Sequence, residues 1–159
     1  MSFDDWLLAF HVLSAFAFVA GMALFWVLIV AVRKTDTPAG TIRMAPVSKV
    51  GTIATAIGAG GTIVFGLWLA FSVGGYDIWD PWIIAALVLW AISGDVGGRA
   101  GKAYLQGMSK ATELEAAGYS GPNDELLALN RTQRGVVLHA IASVALLLIL
   151  IDMIWKPGA

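Results

Sequence analysis

Residues 6–32 read WLLAFHVLSAFAFVAGMALFWVLIVAV, an apolar run interrupted only by His11 and Ser14. About 20 apolar residues in helix cross the roughly 30 Å hydrocarbon core of a bilayer, so the run predicts a transmembrane helix with length to spare. It also poses a question. An ionisable ring in hydrocarbon is costly, and His11 therefore calls for a ligand, a charged partner or a hydrogen bond.

The rest of the chain agrees with a membrane protein. Of 159 residues, 58% are hydrophobic and only 13% charged, the mean hydropathy is +0.79, and the charges cluster so that long segments carry none. A net charge of −1 with no basic stripe argues against nucleic acid as a partner. The absence of cysteine removes disulfides, thiolate catalysis and cysteine-ligated zinc or iron–sulfur sites.

Three further apolar segments complete an expected four-span, all-α bundle forming a single domain over residues 1–159. The spans fall at about 6–32, 50–73, 81–98 and 136–155. The third opens on Asp80-Pro81-Trp82, an N-cap residue followed by proline at the first helical position. Its apolar part ends near Ile92, so it crosses only if Ser93-Gly94-Asp95-Val96-Gly97-Gly98 continues the helix. Ser2 and Asp5 have the spacing of a capping box for the first helix. With Asp4 and Asp5 where a signal peptide carries positive charge, that first run is expected to stay as a span.

Nine of the ten basic residues lie between spans one and two or between three and four, and only Lys156 falls on the other side. The positive-inside rule then predicts both connections in the cytoplasm and both termini outside. The opposite loop, GGYDIWD at residues 74–80, carries only Asp77 and Asp80 as charges. From Arg99 to about Ala117 the composition favours helix, GYSGPN is a turn, and DELLALNRTQRG favours helix again. Helices three and four are thus expected to extend into the cytoplasm as an antiparallel hairpin.

Ala54/Gly58, Thr62/Gly66, Gly94/Gly98 and Gly97/Gly101 are small-xxx-small pairs, which let membrane helices approach closely. They predict contact between the inner halves of spans two and three. This layer either packs helix on helix or leaves room for a flat cofactor or a substrate. Trp6, Trp79, Trp82 and Trp155 fall near the outer boundary, as an aromatic belt would.

Depth separates the two histidines. At about 1.5 Å of rise per residue, His11 lies roughly 7–8 Å below the outer boundary and His139 roughly 24 Å below it, so one metal cannot join them. Asp152, roughly 4–5 Å deep, matches His11 and is its expected charged partner if spans one and four are adjacent. His139 lies near the level of Met22 and about one turn from Asp95. A His139–Asp95 pair and a His139–Met22 metal or haem site both remain open.

The segment HVLSAFAFVAGMALFW, residues 11–26, resembles the first helix of a family of bacterial predicted integral membrane proteins. It is similar, more distantly, to the membrane domains of copper-resistance D proteins and of HemJ-type protoporphyrinogen oxidases. What the resemblance implies is a small helical bundle in the cell's inner (cytoplasmic) membrane with His11 as a b-type haem ligand. A HemJ-type enzyme is expected to have a second ligand such as lysine in a later span. Here Arg99 and Lys102 are the only bases near span three. Five scattered methionines form no cluster suited to Cu(I).

Two functions follow as expectations. One is a haem-bearing protein for electron transfer or redox sensing, with His11 as ligand and Asp152 behind it, His139 and Met22 being the lesser alternative. The other is a non-enzymatic accessory or assembly subunit, meeting a larger membrane complex through the glycine-rich spans two and three or the cytoplasmic hairpin.

Overall fold

A computed structural model describes residues 2–73 and 76–157; Gly74 and Gly75 of the GGYDIWD loop lie outside the described residues. The elements are α1 (Phe3–Val32), α2 (Pro38–Ile42), α3 (Ala45–Ser72), α4 (Pro81–Ala116), α5 (Asp124–Asn130) and α6 (Gln133–Trp155). Four helical stretches, Phe3–Val32, Pro38–Ser72, Pro81–Ala116 and Asp124–Trp155, are long and apolar enough to cross a membrane. Their outward faces carry Phe16, Phe71 and Ile154 at 67%, 69% and 74% exposure. Lipid tolerates such a surface, whereas in water it would be an aggregation hazard.

The helix ends follow the local chemistry. Ser2 and Asp5 form the expected capping box, with Ser2 N–H donating to Asp5 Oδ2 at 2.6 Å and Asp5 N–H to Ser2 Oγ at 3.2 Å. Asp80 is the N-cap residue of α4 with Pro81 next, but its carboxylate accepts from Asp77 N–H instead of from the helix. α4 continues unbroken through Ser93–Gly98 for 36 residues. Backbone groups in hydrocarbon have no water to bond, so the helical hydrogen bonds outweigh the roughly 1 kcal/mol propensity cost of each glycine. Arg131 and Thr132 separate α5 from α6, a break that the composition of this segment did not announce.

The four long helices pack as two antiparallel pairs, α1 with α3 and α4 with α6. The α1/α3 seam is a line of close approaches. Gly66 faces His11, Gly61 faces Ser14, Gly58 lies against the Phe18 backbone, Gly21 against Thr55, and Gly51 against Phe25. On α1 these positions, 11, 14, 18, 21 and 25, step by three and four, the spacing of a helix–helix seam. In the α4/α6 pair, Ser93 Oγ donates to the Ala142 carbonyl at 3.1 Å, and the Tyr104 ring lies on Gly135.

The pairs approach each other at few points, α1 with α6 and α3 with α4, around a core of Phe18, Met22, Ala142 and Leu146 on which Ala59, Trp90 and Val96 also pack. α3 and α4 scarcely touch, although Trp90 Nε1–H donates to the Ala59 carbonyl at 3.2 Å. Spans two and three are thus neighbours, but the expected small-residue contact of their inner halves is replaced by a groove. Gly51, Gly58, Gly61 and Gly66 of α3 are consumed by α1, and a Cβ placed on Gly94, Gly98 or Gly101 of α4 would meet nothing within 4 Å.

At the end bearing most of the basic residues, α2 and α5 pack on the far half of α4. Asn130, 1% exposed, sits at the centre of this cap. Its Nδ2 donates to Thr41 Oγ1 at 2.8 Å, to the Thr35 carbonyl at 3.2 Å and to Thr35 Oγ1 at 3.3 Å, tying one helix pair to the other.

Candidate functional site

His11 stands on the α1/α3 seam, half-buried. Its Nδ1 lies 3.1 Å from the Thr62 carbonyl of α3. A carbonyl only accepts, so Nδ1 carries the proton in this arrangement and Nε2 is left with its lone pair. Gly66 makes the arrangement possible, because a Cβ there would lie 2.8 Å from His11 Cε1 and 2.9 Å from Nδ1.

His139 is 3% exposed. Its Nε2 donates to the Met22 carbonyl at 3.1 Å, and its ring meets the edges of Trp26 and Phe25 at centroid distances of 4.9 and 5.9 Å. His139 and Met22 are thus together as their depths suggested, but through the Met22 backbone; the contact recorded is to oxygen, not to the thioether. The alternative His139–Asp95 pair is not formed. Asp95 is exposed and makes an i,i+4 salt bridge to Arg99 at 2.9 Å.

The expected His11–Asp152 hydrogen bond is also absent. α1 spends the face bearing His11 on α3, so the ring is turned to Thr62 and away from α6. Asp152 is 8% exposed on α6, and its Oδ2 has no hydrogen-bond partner among the described residues. The indole N–H of Trp82, on the facing α4, is likewise unpartnered. Trp82 is 6% exposed, packed edge-on against Tyr76 at 5.4 Å and beneath Lys156 Nζ, which also donates to Tyr76 Oη at 2.8 Å. Trp82 is therefore a core residue and not part of an aromatic belt; Trp6, Trp79 and Trp155 are exposed, as belt residues are.

A larger concavity lies elsewhere. Between α3 and α4, towards the basic end, a groove of about 370 Å³ is floored by α1 and lined by Thr52, Ala56, Gly98, Gly101, Lys102 and Tyr104. That volume lies in the range of about 300–1,000 Å³ usual for small-molecule sites. A smaller cavity of about 100 Å³ shares Gly94, Gly98 and Tyr104 with it and reaches His139. His11 lines neither. The Tyr104 hydroxyl, which borders both, is buried without a hydrogen-bond partner. Among the described residues, no three His, Asp or Glu side chains come together as a metal site.

Sequence reasoning noticed the glycines that make the groove and offered two readings of them, a helix contact or room for a flat cofactor or a substrate. Small residues permit close packing and leave space equally well, and only the partner helix decides between the two. Compared with protein-family models, curated proteins and solved structures, the chain matches none of them. The class that the fold itself defines is a multi-pass membrane protein of four long helices.

Proposed function

We propose that this chain is a non-enzymatic binding protein of the cell's inner membrane, whose α3/α4 groove seats the apolar part of a ligand. The observation that carries the reading is the groove itself, held open by glycines of α4 that have no neighbour to pack on. Its walls present hydroxyls and one cation but no nucleophile–base pair. The proposed orientation places the basic end, with α2, α5 and the far half of α4, in the cytoplasm and both termini outside, as nine of ten basic residues favour. The accessory-subunit role belongs to this reading, with the α4/α5 hairpin as the face offered to a larger complex.

Native mass spectrometry of the protein released from its membrane in mild detergent tests the groove. Wild type should carry a bound mass that Gly98→Leu lacks, since Gly98 lines the groove and a Cβ there would meet nothing within 4 Å, leaving the longer side chain to occupy the groove. A bare wild-type protein, or an adduct equally present on Gly98→Leu, sinks the reading.

A second reading, haem b at His11 for electron transfer or redox sensing, draws support from one feature. Metal-bound histidines almost always donate their other ring N–H to a carbonyl or carboxylate, and His11 does so to Thr62. The donor fits, and bound haem would supply one-electron chemistry there. His11 lines neither of the two cavities described above, so on this reading the macrocycle would lie apart from them. Visible absorption decides it: a Soret band in protein from native membrane, lost on His11→Ala and kept on His139→Ala, would support it, and its absence after expression with added haem would end it.

A further inference from the structure

We infer that the occupant of the α3/α4 groove is a membrane phospholipid of the cytoplasmic leaflet with an anionic head group, held by Lys102. The inference rests on the groove reading above and on the proposed orientation. Three properties of the groove select this occupant over others.

The first is access. Gly94 and Gly98 are exposed, and the groove is open along its length between two helices that diverge, so the way in is sideways from the bilayer.

The second is shape. The lining runs from Ala59 to Ser48 on α3 and from Gly94 to Met108 on α4, roughly 16 and 21 Å along the helix axes. One leaflet contributes about half of the roughly 30 Å core, so the groove has the length of an acyl chain and the end of a head group. The whole space between its walls, open side included, is about 1110 Å³. A groove of this length accommodates an extended hydrocarbon chain, and a partner helix docked on it is an outcome of the test below.

The third is the change of chemistry along the length. Phe25, Ala56 and Ala59 line the part nearest the bilayer centre, while the hydroxyls of Ser48 and Thr52 and the ammonium of Lys102 line the part nearest the basic end. Arg33, Arg99, Lys110 and Arg131 are each engaged by a carboxylate or a backbone carbonyl. Lys102, like Lys34, Arg43, Lys49 and Arg134, has no side-chain acceptor among the described residues, and of these it alone lines the groove. A phosphodiester head accepts charge-assisted hydrogen bonds from such an ammonium.

The full-length protein, delipidated in detergent, is titrated with phosphatidylglycerol or with phosphatidylcholine of the same chains, and bound lipid is counted by native mass spectrometry. Wild type should take up one phosphatidylglycerol in preference to phosphatidylcholine. Lys102→Ala should lower that preference by about fivefold, as one basic residue near the head group would, while still binding both lipids. Gly98→Leu should bind neither at this site, with helicity retained and melting temperature not lowered. Gly101→Leu, whose Cβ position is also empty, serves if the first variant does not fold. A native adduct that depends on Gly98 but is not a phospholipid would overturn this inference and leave the groove reading standing. A dimer dissociated by Gly98→Leu, or a preference untouched by Lys102→Ala, would also overturn the inference. If neither native adduct nor titrated lipid binds, both fall.

Discussion

A methyl group at Gly66 would intrude on His11, since its Cβ falls 2.8 Å from the ring. Gly66→Ala should therefore push the imidazole off the Thr62 carbonyl and cost about 1–3 kcal/mol, the penalty of a buried polar group deprived of its partner. Thermal unfolding in detergent, run as a double-mutant cycle with His11→Ala, isolates the contact. A Gly66→Ala cost that persists unchanged in the His11→Ala background would mean that the ring is not what the methyl strikes. Asn130 makes the same argument in the cap. Asn130→Ala removes the donor to the Thr35 carbonyl and to the Thr41 and Thr35 hydroxyls, which keep the Thr37 and Val32 carbonyls as acceptors, and the lost cross-link should lower stability by about 1–2 kcal/mol, with the α4/α5 hairpin opening first by hydrogen exchange. That His11 needed a partner was legible in the sequence. Which partner was not, because the acceptor is a backbone carbonyl, and a carbonyl leaves no trace in the residue type of Thr62.

At the scale of helices, two glycines of similar sequence context should respond oppositely to the same change. Gly58 of α3 lies against the Phe18 backbone, so Gly58→Ala must force α1 and α3 apart; Gly94 of α4 faces open space. Gly94→Ala should raise stability by about 0.5–1 kcal/mol through reduced backbone entropy in the unfolded chain and better helix propensity. Gly58→Ala should lower it by more than that. Melting of the two variants side by side checks the pairing of helices, and a stabilised Gly58→Ala would contradict the α1/α3 seam. Helix positions and the Ser2/Asp5 cap were readable from hydropathy and from local spacing, since both depend on neighbours in sequence. The pairing was not. The step of three and four along His11, Ser14, Phe18 and Gly21 is visible in the chain, yet nothing in it names α3 over α6 as the helix it meets.

For the molecule as a whole, the absence of cysteine makes sidedness directly measurable. With the proposed orientation, an impermeant thiol reagent added to intact cells should label Asp77→Cys, in the loop before α4, and leave Tyr119→Cys, in the exposed turn after it, unlabelled until the cells are opened. The reverse pattern would invert the protein in the membrane and move the groove to the outer leaflet. Both basic connections lie at one end regardless, because the antiparallel pairs α1/α3 and α4/α6 are joined there by Arg33 Nη1–H donating to the Arg131 carbonyl and by Asn123 N–H donating to the Asp36 carbonyl.

The sequence by itself determined that this is an all-helical protein with four helices able to cross a membrane, because hydrocarbon imposes a length and a composition on any segment that spans it and forces every such segment to close its own backbone hydrogen bonds. It also bounded the depths of His11, His139 and Asp152, which follow from counting residues along a helix. Only the tertiary structure decided that α1 turns His11 to α3, that His139 reaches the Met22 carbonyl, that Asp152 is left without a partner and that the glycines of α4 border a groove. In a bilayer no burial of apolar surface distinguishes one helix neighbour from another. The choice is made by shape, by which small residue lies opposite which large one, and that relation belongs to two helices at once.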